Sequence, residues 1–154
     1  MSKKISSELP MALQTIMAAA EQKISTAGYR LTTGRIALLK VLITSNKPLK
    51  IADLYLAANK ITKIDRVSAY RIISAFKEIG LVHSVGDSGF VFCTHFQEKE
   101  DHHLYLVCED CDNIEEINLP EKFKMTIYQQ IKGFSNFKTH GSIQVTGSCQ
   151  SCRG

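Results

Sequence analysis

Apolar positions in the first eighty residues recur at intervals of three and four. Leu13, Ile16, Met17, Ala20 and Ile24 mark one face of a helix over residues 10–27, and Gly28 stands where helices commonly end. In YRLTTGRIALLKVLITSN, Thr32 or Thr33 supplies an N-cap, and Ile36, Leu39, Val41 and Leu42 supply the apolar face. Asn46-Lys47-Pro48 predicts a turn, and Leu49 to Asn59 a third helix with Ile51, Leu54, Tyr55 and Ala58 on one side. Asp65 can cap a fourth helix, RVSAYRIISAFKEIG. Its stripe reads Val67, Tyr70, Ile73, Ser74 and Phe76 or the stem of Lys77, and Gly80 stops it.

The period then drops to two. LVHSV, the turn GDSG and FVFC predict a hairpin. Helices followed by a hairpin predict a winged helix-turn-helix domain over residues 1–92. Its last helix would enter a DNA major groove, with the hairpin on the backbone. The polar, acidic run around THFQEKED predicts a hinge over residues 93–101. Residues 102–154 then read β-β-α-β: HHLYLVC, EEINL, PEKFKMTIYQQIKGF with Pro120 in its first turn and Gly133 past its end, and THGSIQVTGSC. The expected class is α+β, a winged helix-turn-helix domain followed by a small α/β domain. So small a second domain gains from a metal clip or from dimerisation.

Composition adds a division of charge. Residues 1–92 carry 13 Lys/Arg against 6 Asp/Glu, and residues 93–154 carry 6 against 9, so the halves stand at +7 and −3. A basic first module is expected to face a polyanion. The apolar fraction of 44% is that of a globular chain, so disorder is not the expectation. No continuous apolar run is long enough to span a bilayer. Glu8, Pro10, Gln14 and Glu21 interrupt the N-terminal stretch, so no secretory segment is read there. The expected location is the cytoplasm, where cysteines stay reduced and favour metal over disulfides.

Four of the five cysteines form two C-x-x-C pairs, Cys108/Cys111 and Cys149/Cys152, with 37 residues between them. Two such pairs match a closed tetrahedral Cys₄ site suited to one structural zinc. A strand, a helix and a strand fill the interval, so the ion would pin the domain's last strand to its first. Thioredoxin-like chemistry and unrelated thiols are the alternatives, and two pairs in one reduced chain weigh against both. The H-x-E…P-C-x-x-C pattern of zinc deaminases and the H-E-x-x-H of zincins are both missing, so no enzyme is expected.

Together these residues resemble the ferric uptake regulator (Fur) family of bacterial metal-dependent repressors. The matching segments are AGYRLTTGRIALLKVL, DRVSAYRIISAFKEIGLVHSV, HHLYLVCEDCDNIEEI and GSCQSC, covering roughly residues 20–152. The resemblance implies a homodimer gripping palindromic operator DNA when a regulatory metal is bound. It implies DNA contacts from Tyr70 and Arg71, with Ser68 and Arg66 beside them on the same helix, and from Arg30 and Arg35 in the opening segment. Ala69, Asp112 and Tyr105 depart from the family pattern. Tyr105 removes a nitrogen ligand expected in iron- and peroxide-sensing members.

A second ion is expected around the hinge, where His83, Cys93, His95, Asp101, His102, His103 and Glu116 gather in sequence. His83 followed by Cys93 resembles the zinc uptake regulator (Zur) subgroup, and a thiolate among imidazoles favours zinc over iron(II). Glu116 matches the carboxylate after the C-x-x-C. The fourth ligand is open among His103, taken first for its imidazole, Asp101 and His102. His95 and His140 read as structural or surface residues, and Tyr55 and Phe76 as core. The expected function is zinc-responsive repression of zinc-uptake genes. Alternatives are an iron, manganese, nickel or peroxide sensor on the same scaffold, and a zinc-binding adaptor without DNA contact. Neither a membrane nor a small organic substrate is an expected partner.

Overall fold

The structure is a computed structural model that describes residues 9–97, 103–130 and 143–153. The chain divides into two compact units, Met1–Cys93 and Thr94–Gly154.

The first unit is built from α1 (Met11–Thr26), α2 (Thr33–Thr44), α3 (Ile51–Asn59), α4 (Arg66–Glu78), β1 (Val82–Val85) and β2 (Gly89–Phe92). Gly28 ends α1 in the left-handed conformation at φ 86°, and the Tyr29 amide then reaches back to the Ile24 carbonyl. Thr32, rather than Thr33, caps α2 by accepting from the Arg35 amide at 3.3 Å. Asp65 caps α4, its Oδ1 accepting from the Ser68 amide at 2.9 Å. α2 is the central helix. Ile36, Ala37, Leu38, Leu39 and Leu42 are all buried there, which is more than one face, while Val41 is only half-buried.

Two sequence expectations need correction. The third helix begins at Ile51, because Leu49 forms an antiparallel bridge to Phe90 through two N–H···O bonds of 2.9 Å. Leu49 is thus a third rung of the hairpin, and a Cβ on Gly89 would stand 2.5 Å from its carbonyl oxygen. The stripe assigned to α4 is also rotated. Val67, Tyr70 and Ser74 are exposed, and the core takes Ala69, Ile72, Ile73, Ala75 and Phe76. Small alanines allow close approach to neighbouring helices, and that packing outweighs the larger apolar side chains in setting the buried face. Phe76 is core as expected, whereas Tyr55 is only half-buried.

The second unit contains β3 (His103–Cys108), β4 (Ile114–Asn118), α5 (Glu121–Gln130), β5 (Ile143–Gly147) and a single turn, α6 (Gln150–Arg153). The sheet order is β4-β3-β5, with β4 antiparallel and β5 parallel to β3. A parallel neighbour requires a crossover, and α5 lies in it. Asp101, His102, Gly133 and His140 lie outside the described residues. Among the described residues no helix is long and apolar enough to cross a membrane.

Candidate metal centres and nucleic-acid face

The parallel pairing of β3 with β5 brings the two cysteine pairs to one end of the sheet. Cys108 closes β3 opposite Gly147, Cys111 follows in the next turn, Cys149 comes two residues after the end of β5, and Cys152 sits in α6. Asp112 takes φ 58°, so it adopts the left-handed conformation that glycine would take most easily. Its amide returns to the Cys108 carbonyl at 3.0 Å, and the Cys108 amide bonds the Asn113 carbonyl at 2.9 Å. The result is a tight loop that turns both sulfurs the same way.

All four Sγ atoms lie within 4.8 Å of one another, and Cys111 and Cys149 are 3.8 Å apart. A tetrahedron with Zn–S bonds of about 2.3 Å has S···S edges of about 3.8 Å. The residues therefore fit a Cys₄ zinc. The proton balance points the same way. The Cys149 amide donates to Cys108 Sγ at 3.3 Å and, with further amides, lowers that thiol to about 6. Hydrogen bonds to Cys149 and Cys111 push Cys152 up. Four crowded thiols cannot all ionise without a cation among them.

The expected regulatory residues fall into both units. In the first, His83 on β1 pairs with Val91, and Cys93 extends the hairpin as its amide donates to the Leu81 carbonyl at 2.9 Å. A ring nitrogen of His83 lies within 4.8 Å of Cys93 Sγ, and Cys93 is fully buried.

In the second, His103, the first residue of β3, is 1% exposed and lies diagonally across the ladder from Glu116 on β4, which pairs with Tyr105 of β3. His103 Nδ1 is 3.4 Å from Glu116 Oε1. Sequence reasoning read His95 as a structural or surface residue rather than a ligand; its Nδ1 is 3.3 Å from the same oxygen and its ring stacks on His103 at 5.3 Å. Thr94 holds the other carboxylate oxygen through its amide at 2.9 Å and its hydroxyl at 2.5 Å. Burial pushes the Glu116 carboxyl up, but the Thr94 and His95 hydrogen bonds and the His103 charge outweigh it. The net result is a carboxyl held below its ordinary range. The only sequence signal for His95 was its position two residues after Cys93; nothing in the chain foretold Thr94.

On the first unit, α4 presents Arg66, Val67, Tyr70 and Arg71 to solvent. Arg66 lies 5.7 Å from the centre of the Tyr55 ring. Ser68 is committed to the cap, its hydroxyl donating to Asp65 Oδ2 at 2.5 Å. Arg30 is exposed, and its carbonyl accepts from Arg35 at 2.7 Å while Arg35 stacks over Tyr29 at 5.3 Å. An open cleft of about 690 Å³ is lined by Thr32, Arg35, Tyr55, Lys63, Ser68 and Arg71 among others.

Fold and cluster together define a winged-helix protein whose second unit is a small α/β sheet closed by four cysteines. The ferric uptake regulator family model matches residues 26–145, and the chain belongs to that family. The peroxide-responsive repressor PerR of Staphylococcus epidermidis is 29% identical over 133 residues, covering 82% of this chain and 83% of that protein. Among solved structures, a zinc uptake regulator complexed with zinc and DNA aligns with a TM-score of 0.79 at 22% identity, covering 94% of this chain and 97% of the other. The holo form of the zinc uptake regulator XcZur aligns with a TM-score of 0.76 at 23% identity, covering 90% and 97%. At these identities the structural likeness establishes the fold.

Proposed function

We propose that this family member is a zinc-responsive transcriptional repressor that binds palindromic operators of zinc-uptake genes as a homodimer. Cys108, Cys111, Cys149 and Cys152 would hold one structural zinc per chain. His83, Cys93, His103 and Glu116 would hold one regulatory zinc. The observation that carries the metal choice is the buried Cys93 thiol within ligand reach of His83, since a soft donor selects zinc over iron(II). The fold likeness to zinc uptake regulators agrees with it.

The DNA surface would be the exposed face of α4, with Arg66, Tyr70 and Arg71 reaching bases or phosphates and Arg30 and Arg35 adding charge. Ser68 would act through the cap that fixes the start of α4. An ion held by all four regulatory ligands would favour one arrangement of the dimer's winged helices, so the operator would be gripped when zinc is bound.

The decisive experiment measures operator binding with zinc, with iron(II) and without added metal, for wild type and Cys93→Ser. Zinc-dependent binding in wild type, lost in the variant while the Cys₄ zinc stays, is the expected result. Equal binding by both proteins at limiting free zinc removes Cys93 from the sensor. A second reading, an iron or peroxide sensor, is favoured by the PerR relatives and by the imidazole–carboxylate cluster around Glu116. Iron(II)-dependent binding that peroxide abolishes would establish it instead. Binding that is absent under every condition would leave a zinc-carrying adaptor.

A further inference from the structure

We propose that His95 is a metal ligand, and that His95, His103 and Glu116 form a two-imidazole, one-carboxylate centre that holds a divalent cation without any thiolate. The centre lies wholly within the second unit. It shares His103 and Glu116 with the regulatory set above and rests on that reading only for those two donors.

The geometry is that of a preassembled site. Both imidazole Nδ1 atoms approach the same carboxylate oxygen, at 3.3 and 3.4 Å, and the three donors lie within 4.8 Å of one another. Ligands at about 2.0–2.1 Å from one ion are separated by about 2.8–3.0 Å in octahedral geometry and about 3.3–3.4 Å in tetrahedral geometry. The rings stack 20° from parallel, and each turns its Nδ1 to Glu116 Oε1. Glu116 Oε2 is occupied by the Thr94 amide and hydroxyl, which orients Oε1 toward the two imidazoles. Such an outer hydrogen bond to a ligating carboxylate is the usual support of a metal site. His103 is buried and Glu116 nearly so, while the His95 side chain is 31% exposed and leaves an entry path.

Two imidazoles and a carboxylate make a harder donor set than His83 with Cys93. They discriminate less sharply against cobalt(II) and iron(II) than a set containing a thiolate does. The sensor would then have a thiolate-independent mode, open to a cation that the Cys93 set disfavours.

The test is an anaerobic cobalt(II) titration of protein already carrying zinc in its Cys₄ cluster, comparing wild type, Cys93→Ser, Cys93→Ser/His95→Ala and Cys93→Ser/His95→Gln. Zinc retention and circular dichroism certify that each variant is folded. Cys93→Ser should bind one further cobalt per chain, with weak visible bands and no thiolate-to-cobalt charge transfer. Either His95 substitution should weaken that binding by about tenfold or more. Equal binding with and without His95 overturns the proposal, and so does failure of Cys93→Ser to bind any added cobalt. Wild type tests the Cys93 assignment separately. Without thiolate charge transfer there, Cys93 leaves the regulatory set while the His95 centre stands.

Discussion

Strand β5 should depend on the cysteine cluster for its place in the sheet. It pairs with β3 over five residues, yet none of its own side chains is buried; Val145 is 49% exposed and Ile143 37%. Each ladder hydrogen bond adds about 0.5–1.5 kcal/mol net, while each residue ordered costs about 1–2 kcal/mol. Pairing alone therefore runs at a loss along β5, with only the partial burial of Ile143 and Val145 to compensate. Binding of zinc to a structural site of this kind contributes about 10–16 kcal/mol in apparent terms, enough to reverse the balance. Cys149→Ser removes the thiolate two residues beyond the strand. Amide hydrogen exchange by NMR should show protection at 143–147 falling by about a hundredfold or more, or some 2.8 kcal/mol at 1.4 kcal/mol per tenfold. Amides of the β3–β4 pair and of α2 should change far less. A strong chelator added to wild type should reproduce the effect. If β5 keeps its protection in a variant shown to have lost its zinc, the strand is held by something other than the clip.

Further outcomes are expected in the first unit. Gly89→Ala places a methyl 2.5 Å from the Leu49 carbonyl at φ 128° and should cost about 2–4 kcal/mol by urea denaturation, chiefly by breaking the Leu49–Phe90 bridge. Arg71→Ala should leave stability within about 0.5 kcal/mol. In an operator titration it should weaken binding and reduce the salt slope by about one. The Ser68 hydroxyl and amide hold the Asp65 carboxyl below its ordinary 3.8, so an NMR titration should find it low, and Ser68→Ala should return it toward that value. The sign follows. This cap stabilises the folded state fully above the ordinary carboxylate value and loses that contribution as pH falls through the lowered one.

Much of the fold was legible because its signals are local. Helix periodicity, the Gly28 and Gly80 stops, the Asp65 cap and the GDSG turn each depend on residues within one turn of one another. The face of α4 was misread because Ala69, Ile72 and Ala75 are buried by what surrounds them, and hydropathy ranks Val67 and Tyr70 beside them. Leu49 was counted as helix because its partner, Phe90, lies forty-one positions away in the chain. The Cys₄ cluster was legible through repetition, since two C-x-x-C pairs identify each other. His95 was not, because its link to Glu116 crosses from a turn to a strand with no shared motif.

The parallel β3–β5 pair, fastened at Cys108/Cys111 and Cys149/Cys152, turns the intervening 37 residues into a loop closed at its neck. Loop-closure entropy grows only with the logarithm of length, so doubling that segment costs about 0.6 kcal/mol. Chain inserted between α5 and β5 would be tolerated while the neck holds. The same insertion between Cys108 and Cys111, where one left-handed residue sets the turn that follows, would not. The crossover is therefore the place to graft a reporter that reads the state of the metal clip from outside it.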